Sequence, residues 1–511
     1  MSQKPPLSWY IRRIVWNSVS LLIFRFKKAK KIPLPPQFPR PLKLVPVSER
    51  IPGIDIDDIM MADRIPKGES SLVMRASFTF RIWLGQVLPP VTPGLPQINK
   101  DIDKALDTAF NKHYKKLYKR PVRPEAFRVA GMPDLGEMAV ASPYACFLEK
   151  DTDGNLVWDF RDLDDHEIYP GLRPLGCRVF FKLNKKVRTL SATHIESVLG
   201  DIKAGEDRWD EAVRTTMCSA STQISLVNHF NGVHLACGGP VSVATRNNLY
   251  SDHPLCRLMW PHVFGTQNSN YLVAKGQMLP MGDFETVFSF THEGMTNLFS
   301  RSYNSYRATV MVPELDWKDR GLPTDGLDTP YQDNLRALYD VMHAHTTRYL
   351  NIYFETDEAL RRDETVMAWV AALNRQIPNG IEGVTGGSVT RESLARLTAG
   401  FIYMASVQHE ALGSCMWNYQ MWVDKNPVRI HTNGQRIPID IYQRLLNANF
   451  NLNVDRAKLA QDLSYFAIDD VGAGAFRQFL VELNALEREL KGKAFAAWRI
   501  TPSMLEANIN A

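Results

Sequence analysis

His229 and His234 stand five residues apart inside an apolar stretch of helical character, Ile224-Ser-Leu-Val-Asn-His-Phe-Asn-Gly-Val-His-Leu235. A pair of imidazoles on one helix can hold a metal ion, but residues five apart in a regular α-helix point about 140° away from one another. Both rings face one ion only if the helix is locally widened, and a π-type turn does this, a feature that collects at functional sites. The bland reading of the pair is two ordinary interior histidines bonded to backbone carbonyls. With twelve histidines in 511 residues, a pair at any one chosen spacing is expected roughly 0.3 times by chance, so spacing alone is weak evidence. Two other features shift the balance toward a metal. His409 interrupts the most apolar helical pattern of the chain, Phe401-Ile-Tyr-Met-Ala-Ser-Val-Gln-His-Glu-Ala411, at a position where packing favours leucine. The C-terminal segment from Arg499 to Ala511 is apolar and lacks charge runs, the composition of a segment held inside.

These residues need rigid elements to bring them together. Beyond Asp207 apolar residues recur at i, i+3, i+4 and i+7, as in Leu394, Leu397, Phe401, Met404 and Val407, and predict long helices over roughly 208–237, 253–278, 328–350, 363–374, 390–420, 438–449 and 473–490. The Pro- and Gly-containing stretches 312–330 and 378–388 read as loops inside one large α-rich domain. Residues 46–200 are mixed, with a helix-like stretch from Ile98 to Lys119 and strand-like segments at Tyr144–Leu148 and Arg178–Lys182. The turn Asp151-Thr-Asp-Gly-Asn155 reads as a hairpin, because a calcium loop needs glycine and glutamate where Leu156 and Asp162 stand.

Composition sets outer bounds. A chain with 45% hydrophobic and 10% aromatic residues buries a large core. Its six cysteines, Cys146, Cys177, Cys218, Cys237, Cys256 and Cys415, form no CxxC pair, which argues against a disulfide framework or a thiolate zinc site and fits a reducing, cytoplasmic compartment. Ten of the 60 basic residues lie between Lys4 and Lys43, ahead of the first acid, Glu49; the remaining 50 face 55 acids. A basic bias confined to one terminus excludes a nucleic-acid footprint. Within that terminus the apolar run Ile14–Phe24 is too short to span a bilayer, and no small-residue cleavage site follows it. Residues 9–31, with Trp9, Tyr10 and Trp16 inside a Lys/Arg collar, read either as a peripheral contact with an anionic membrane surface or as a helix packed on the body.

The ordered set of motifs resembles the catalytic domain of lipoxygenases, clearly over 200–511 and faintly over 46–200. That family carries two metal-binding histidines in a His-x4-His helix, matched by His229 and His234. An Ala-Thr-x-Arg-x-Leu stretch follows in the family, and here Ala244-Thr-Arg-Asn-Asn-Leu249 stands with its arginine one place early. Next come His253-Pro254, Leu258 and Pro261-His262, similar to the family's His-Pro…Leu…Pro-His. The third family histidine sits in an Ala-x-x-Gln-His helix, and Ala405-Ser-Val-Gln-His409 resembles it. Arg320-Gly-Leu322, Tyr349-Leu-Asn-Ile-Tyr353, Asp363-Glu and Ala368-Trp369 are further similar landmarks.

The resemblance implies a mainly α fold, a large helical bundle with a few short strands. It makes 46–511 the catalytic domain and 1–45 a basic N-terminal extension in place of the family's lipid-binding β-barrel. It implies one Fe, or alternatively Mn, held by His229, His234, His409 and the C-terminal carboxylate of Ala511. The activity implied is removal of hydrogen from a polyunsaturated fatty-acid-like substrate and addition of O2 to give a hydroperoxide. Four positions depart from the family pattern. Gly413 stands where the family has a further weak ligand and offers no side chain. Val273 aligns with the small oxygen-control residue, Gln277 with a leucine that clamps substrate, and Ala511 replaces an isoleucine. These departures leave open a second activity, such as hydroperoxide rearrangement or oxidation of another lipophilic metabolite, and a third reading as a non-catalytic lipid-binding relative. His253 and His262 are expected to tie elements together, and His343 with His345 to lie on a polar helix face.

Overall fold

The computed structural model describes the chain apart from residues 1–5, 27–30, 37–40, 57–58, 70–75, 77–79, 81–82, 85–86, 89–90, 93, 96–97, 99, 114–119, 324, 435–437, 439–440, 443, 447–456 and 510–511. It opens with α1 (Leu7–Phe26), which docks through Trp16, a buried side chain whose indole N–H donates to the Leu88 carbonyl at 2.6 Å. The short antiparallel pair β1 (Leu44–Pro46) and β2 (Met60–Ala62) follows, then α2 (Ile102–Asp107), capped by the Asp101 carboxylate. The helix predicted over Ile98–Lys119 is thus shorter at its start, and it continues as a π-helix over Thr108–His113.

A five-stranded antiparallel sheet runs in sequence order: β3 (Glu149–Lys150), β4 (Leu156–Asp159), β5 (Cys177–Asn184), β6 (Thr189–Ser197) and β7 (Gly200–Lys203). Its period-two pattern is plain in β5, where Cys177, Val179 and Phe181 are buried between partly or fully exposed Arg178, Phe180 and Lys182. Asp151-Thr-Asp-Gly-Asn155 does form the β3–β4 hairpin turn, with the Asp151 carboxylate accepting from the Asn155 backbone N–H at 2.7 Å. Tyr144–Leu148 is not a strand: Pro143–Phe147 forms a 3-10 helix, started by the Ser142 side chain accepting from the Tyr144 N–H and by a proline at its first position.

The remainder is helical, as the 3.6-residue period predicts. The first long segment is α3 (Trp209–Thr222), a π-helix (Gln223–Gly238) and α4 (Gly239–Asn248), unbroken end to end. The stretch predicted over 253–278 divides into α5 (Pro254–Val263) and α6 (Thr266–Gly276), because Gly265 adopts φ +88° between them. Further on lie α7 (His292–Asn304), α8 (Pro330–Tyr353), α9 (Glu364–Gln376) and α10 (Arg391–Tyr403). A second π-helix (Met404–Gln408) joins α10 to α11 (His409–Asn418), and α12 (Asp470–Gly492) closes the bundle. Cap side chains start several of them, Asp363 at α9, Thr390 at α10 and Asp469 at α12. α8 packs against both α10 and α12. There His345 is fully buried, stacked on Phe479 at 4.3 Å and close to Phe476, and is not on a polar face as the sequence suggested; His343 is half-buried, 3.3 Å from the Glu392 carboxylate.

Candidate metal centre

The long π-helix supplies His229 and His234, and α11 begins at His409 directly after the second π-helix. The expected widening is therefore real, but it extends over sixteen residues rather than one turn. All three imidazoles are buried, at 4%, 4% and 5% exposure. Their ring centroids form a near-equilateral triangle: 5.2 Å for His229–His234, 5.0 Å for His229–His409 and 5.2 Å for His234–His409. Among the described residues this is the cluster whose potential ligand atoms all approach within 4.8 Å of one another. Two imidazole nitrogens bound to one ion at roughly 2.1 Å stand about 3–4.2 Å apart, within a small side-chain adjustment of that spacing. Imidazole donors suit iron, as they do zinc, copper and nickel.

One of the three rings is held from behind. Asn270 on α6 accepts from His234 Nδ1 at 3.3 Å, while its own NH2 donates to the His234 backbone carbonyl at 3.1 Å. With Nδ1 carrying the proton, Nε2 presents its lone pair to the cluster. Gly239 leaves room for this: a Cβ there would already stand 3.4 Å from the Asn270 side-chain nitrogen.

The tail approaches from the other side. Asn334 brackets Ile500, accepting from its N–H and donating to its carbonyl; Leu459 donates to the Leu505 carbonyl, and Ala507 donates to the Ala457 carbonyl at 2.8 Å. The Pro261–His262 end of α5 then grips the last described residues. Asn508 donates to the Pro261 carbonyl at 3.0 Å, and His262 Nδ1 lies 2.8 Å from the Ala507 carbonyl. Because a carbonyl only accepts, this ring is protonated at Nδ1; burial pulls its pKa down to about 4, so it is neutral. Ile509 is 1% exposed and lines a small apolar cavity with Cys237, Gly238, His262, Phe401 and Ala405. Gly238 makes that seat, since a Cβ on it would come within 2.6 Å of Ile509 Cδ1. Gly238 lies four residues after His234 and Ala405 four before His409, so Ile509 sits one helical turn from the cluster. Ala511 lies outside the described residues.

The other singled-out positions fall as follows. Gly413 lies on α11, one turn after His409, where an added Cβ would be 3.8 Å from His229 Nε2 with no clash. Val273 follows Asn270 at i+3 on α6 and is buried; Gln277, partly buried, is the residue just after the helix. His253 caps α5, accepting from the Leu255 N–H and pairing with Asp363 at 3.0 Å.

Residues 190–448, half of the chain, match the family model for lipoxygenases. The chain belongs to the lipoxygenase family. It is 24% identical over 196 residues to the epidermal-type polyunsaturated fatty acid (12S)/(13S)-lipoxygenase of Mus musculus, a match covering 37% of this chain and 28% of the relative. A hydroperoxide isomerase of Rattus norvegicus is 24% identical over 201 residues, covering 39% of this chain and 28% of that one. The matched segment thus spans little more than a quarter of these curated relatives. A lipoxygenase crystal structure in complex with arachidonate superposes with a TM-score of 0.72 at 15% identity, covering 90% of this chain and 80% of the other. The mainly α lipoxygenase fold is therefore shared well beyond the region of detectable sequence identity.

Sequence reasoning missed Asn270, which carries no local motif, and the part played by Gly238 and Ile509. The Gly238–Gly239 pair inside an apolar helix was the available signal, because glycine in such a place marks close approach of another group.

Proposed function

We propose that this lipoxygenase is a non-haem iron dioxygenase that removes a hydrogen from a polyunsaturated fatty-acid-like substrate and adds O2 to give a hydroperoxide. The observation that carries the reading is the convergence of His229, His234 and His409 on one buried point. These three side chains would hold the ion, with iron favoured and manganese the alternative. A bound ion of this kind supplies one-electron chemistry that closed-shell protein side chains lack. The chain's own contribution is placement and exclusion of water. Asn270 orients His234, and the tail from Ile500 to Ile509 closes the apolar side of the centre. Gly413 offers no side chain beside His229, and Val273 on α6 and Gln277 just beyond its end are assigned to the oxygen and substrate path. Residues 9–31 are assigned to peripheral contact with an anionic membrane, from which a lipophilic substrate could be drawn.

The experiment is elemental analysis of the purified protein with oxygen uptake on linoleate, beside His409→Ala. About one iron or manganese per chain and uptake abolished by the substitution support the dioxygenase. A second reading, rearrangement of a preformed hydroperoxide, is favoured by Gly413. It predicts consumption of added hydroperoxide without oxygen uptake by a metal-loaded protein. Absence of metal from both proteins would leave only a lipid-binding role.

A further inference from the structure

Glu69 is only 5% exposed, a carboxylate carried into the body by a segment that lies ahead of residues 190–448, the part of the chain that matches the family model. A tight turn delivers it. The Glu69 N–H donates to the Pro66 carbonyl at 3.2 Å, and Gly68 between them adopts φ +91°, which a side chain would resist. A few residues earlier, β2 lies against both α4 and α6. The segment from Met60 to Glu69 therefore reaches the two helices that stand behind His234.

Each Glu69 oxygen goes to a different helix. One pairs with Arg246 on α4, and the other accepts from the Asn268 N–H in the first turn of α6 at 3.1 Å. The N–H groups of a first helical turn lack partners inside the helix and point out of its end, where the helix dipole also favours a carboxylate. Glu69 thus fixes where α6 begins along its axis. Rotation of α6 is fixed by two carboxamides three residues apart on one face, Gln267 and Asn270. Gln267 donates to the Gly239 carbonyl at 3.4 Å while accepting from the Ala62 N–H of β2 at 2.9 Å, and Asn270 donates to the His234 carbonyl at 3.1 Å. His234, Gly239 and Arg246 all belong to one unbroken helical run. The contacts therefore close a ring, from Arg246 to Glu69, from Glu69 to α6, from α6 to His234, and along the helix back to Arg246. Every side chain in it is buried.

We infer that Glu69 is a positioning residue for the metal centre: by holding α6 against α4 it sets the Asn270 hydrogen bond that aims His234. This rests on the metal reading of His229, His234 and His409, and adds to it a residue from outside the family match. At 3.3 Å the contact between Asn270 and His234 Nδ1 is long for a hydrogen bond, so even a small slide of α6 weakens it.

The test is the rate at which the full chain, loaded anaerobically with iron(II), gives up the ion to an excess of ferrozine, read by absorbance beside thermal melts of each protein. Glu69→Met/Arg246→Met removes the acceptor without leaving a charge buried alone, and Glu69→Leu/Arg246→Leu takes its place should it not fold. Release is expected to accelerate on the order of tenfold in the methionine pair. It should stay near the wild-type rate in Glu69→Gln/Arg246→Gln, whose amide oxygen can still accept from the Asn268 N–H. Adding the methionine pair to Asn270→Ala should bring no acceleration beyond Asn270→Ala alone. That last comparison separates positioning from stability, because a general loosening of the fold would speed release in either background. Release from the methionine pair at the wild-type rate, equal acceleration in the glutamine pair, or an effect that adds in full to that of Asn270→Ala would overturn the role of Glu69 and leave the metal reading intact. Wild type that retains no iron would overturn both.

Discussion

Asn270 holds His234 at two points, taking the Nδ1 proton on its carboxamide oxygen and returning a hydrogen bond to the His234 carbonyl from its nitrogen. The ring therefore cannot turn without losing its Nδ1 bond to a carboxamide that the His234 carbonyl holds in place. Asn270→Ala is expected to weaken metal retention by about 10–100-fold, the usual effect of removing a partner behind a ligating imidazole. Competition against a chelator, with protein stability followed in parallel, measures it. Retention equal to wild type would show that Asn270 only packs.

Gly238 makes a different kind of demand. A Cβ there would meet Ile509 Cδ1 at 2.6 Å and the Val233 carbonyl at 2.9 Å, the second of which is backbone and cannot step aside. Gly238→Ala is expected to cost about 1–3 kcal/mol through overpacking and to free the tail. Urea midpoints and faster proteolysis after residue 500 would report the two effects separately.

Glu69 and Arg246 form a buried ion pair beneath α4, with the guanidinium 4.4 Å from the Trp260 ring centroid and the other Glu69 oxygen accepting from the Asn268 N–H at 3.1 Å. Arg246 is the arginine that stands one place early in the sequence motif, and burial lowers its pKa to about 10, still cationic at neutral pH. Glu69→Ala leaves that cation buried and is expected to destabilise by about 3–5 kcal/mol, whereas replacing both residues with methionine should recover most of the loss. Chemical denaturation of the three proteins decides it.

His345 gives the protein an acid limb. Burial drives its pKa from 6.5 to about 3, so between those values the unfolded chain binds a proton that the folded chain refuses. The group makes no difference to stability above pH 6.5. As pH falls through the window it costs about 1.4 kcal/mol per unit, and it stops adding below 3. His345→Phe, which keeps an aromatic ring against Phe479, should flatten the slope of stability between pH 6 and 4 by up to one proton. An unchanged slope would mean that the ring is solvated in solution.

Gly413 can be tested by addition. Its missing side chain leaves a Cβ position 3.8 Å from His229 Nε2, so Gly413→Asn should fit and slow loss of the ion to a chelator severalfold. No change in release rate would show that the added carboxamide points elsewhere.

What was legible in the sequence was mostly periodicity and spacing. Helices such as Pro330–Tyr353 and Asp470–Gly492 declare themselves because one face of each meets the core, and the histidine motifs drew attention to the residues that converge. The break at Phe264–Gly265 was hidden because apolar residues continue at near-helical intervals across it, while the backbone turns extended at Phe264 and to a positive φ at Gly265. His345 was misplaced for a related reason. Its sequence neighbours His343 and Thr346 suggest a polar face, while the apolar wall that buries it, Phe476 and Phe479, arrives from a helix more than a hundred residues away. Asn270 was invisible because a lone asparagine acquires meaning only when another helix brings His234 to it.

The sixteen-residue π-helix makes the chain unusually sensitive to counting. Losing one codon between His229 and His234 would turn everything downstream in that helix by roughly a quarter turn, carrying His234 away from His229 and Gly238 away from Ile509, with composition and hydropathy almost unchanged. In related sequences, an insertion or deletion inside this one helix would say more about whether the ion is kept than many substitutions scattered over the sheet.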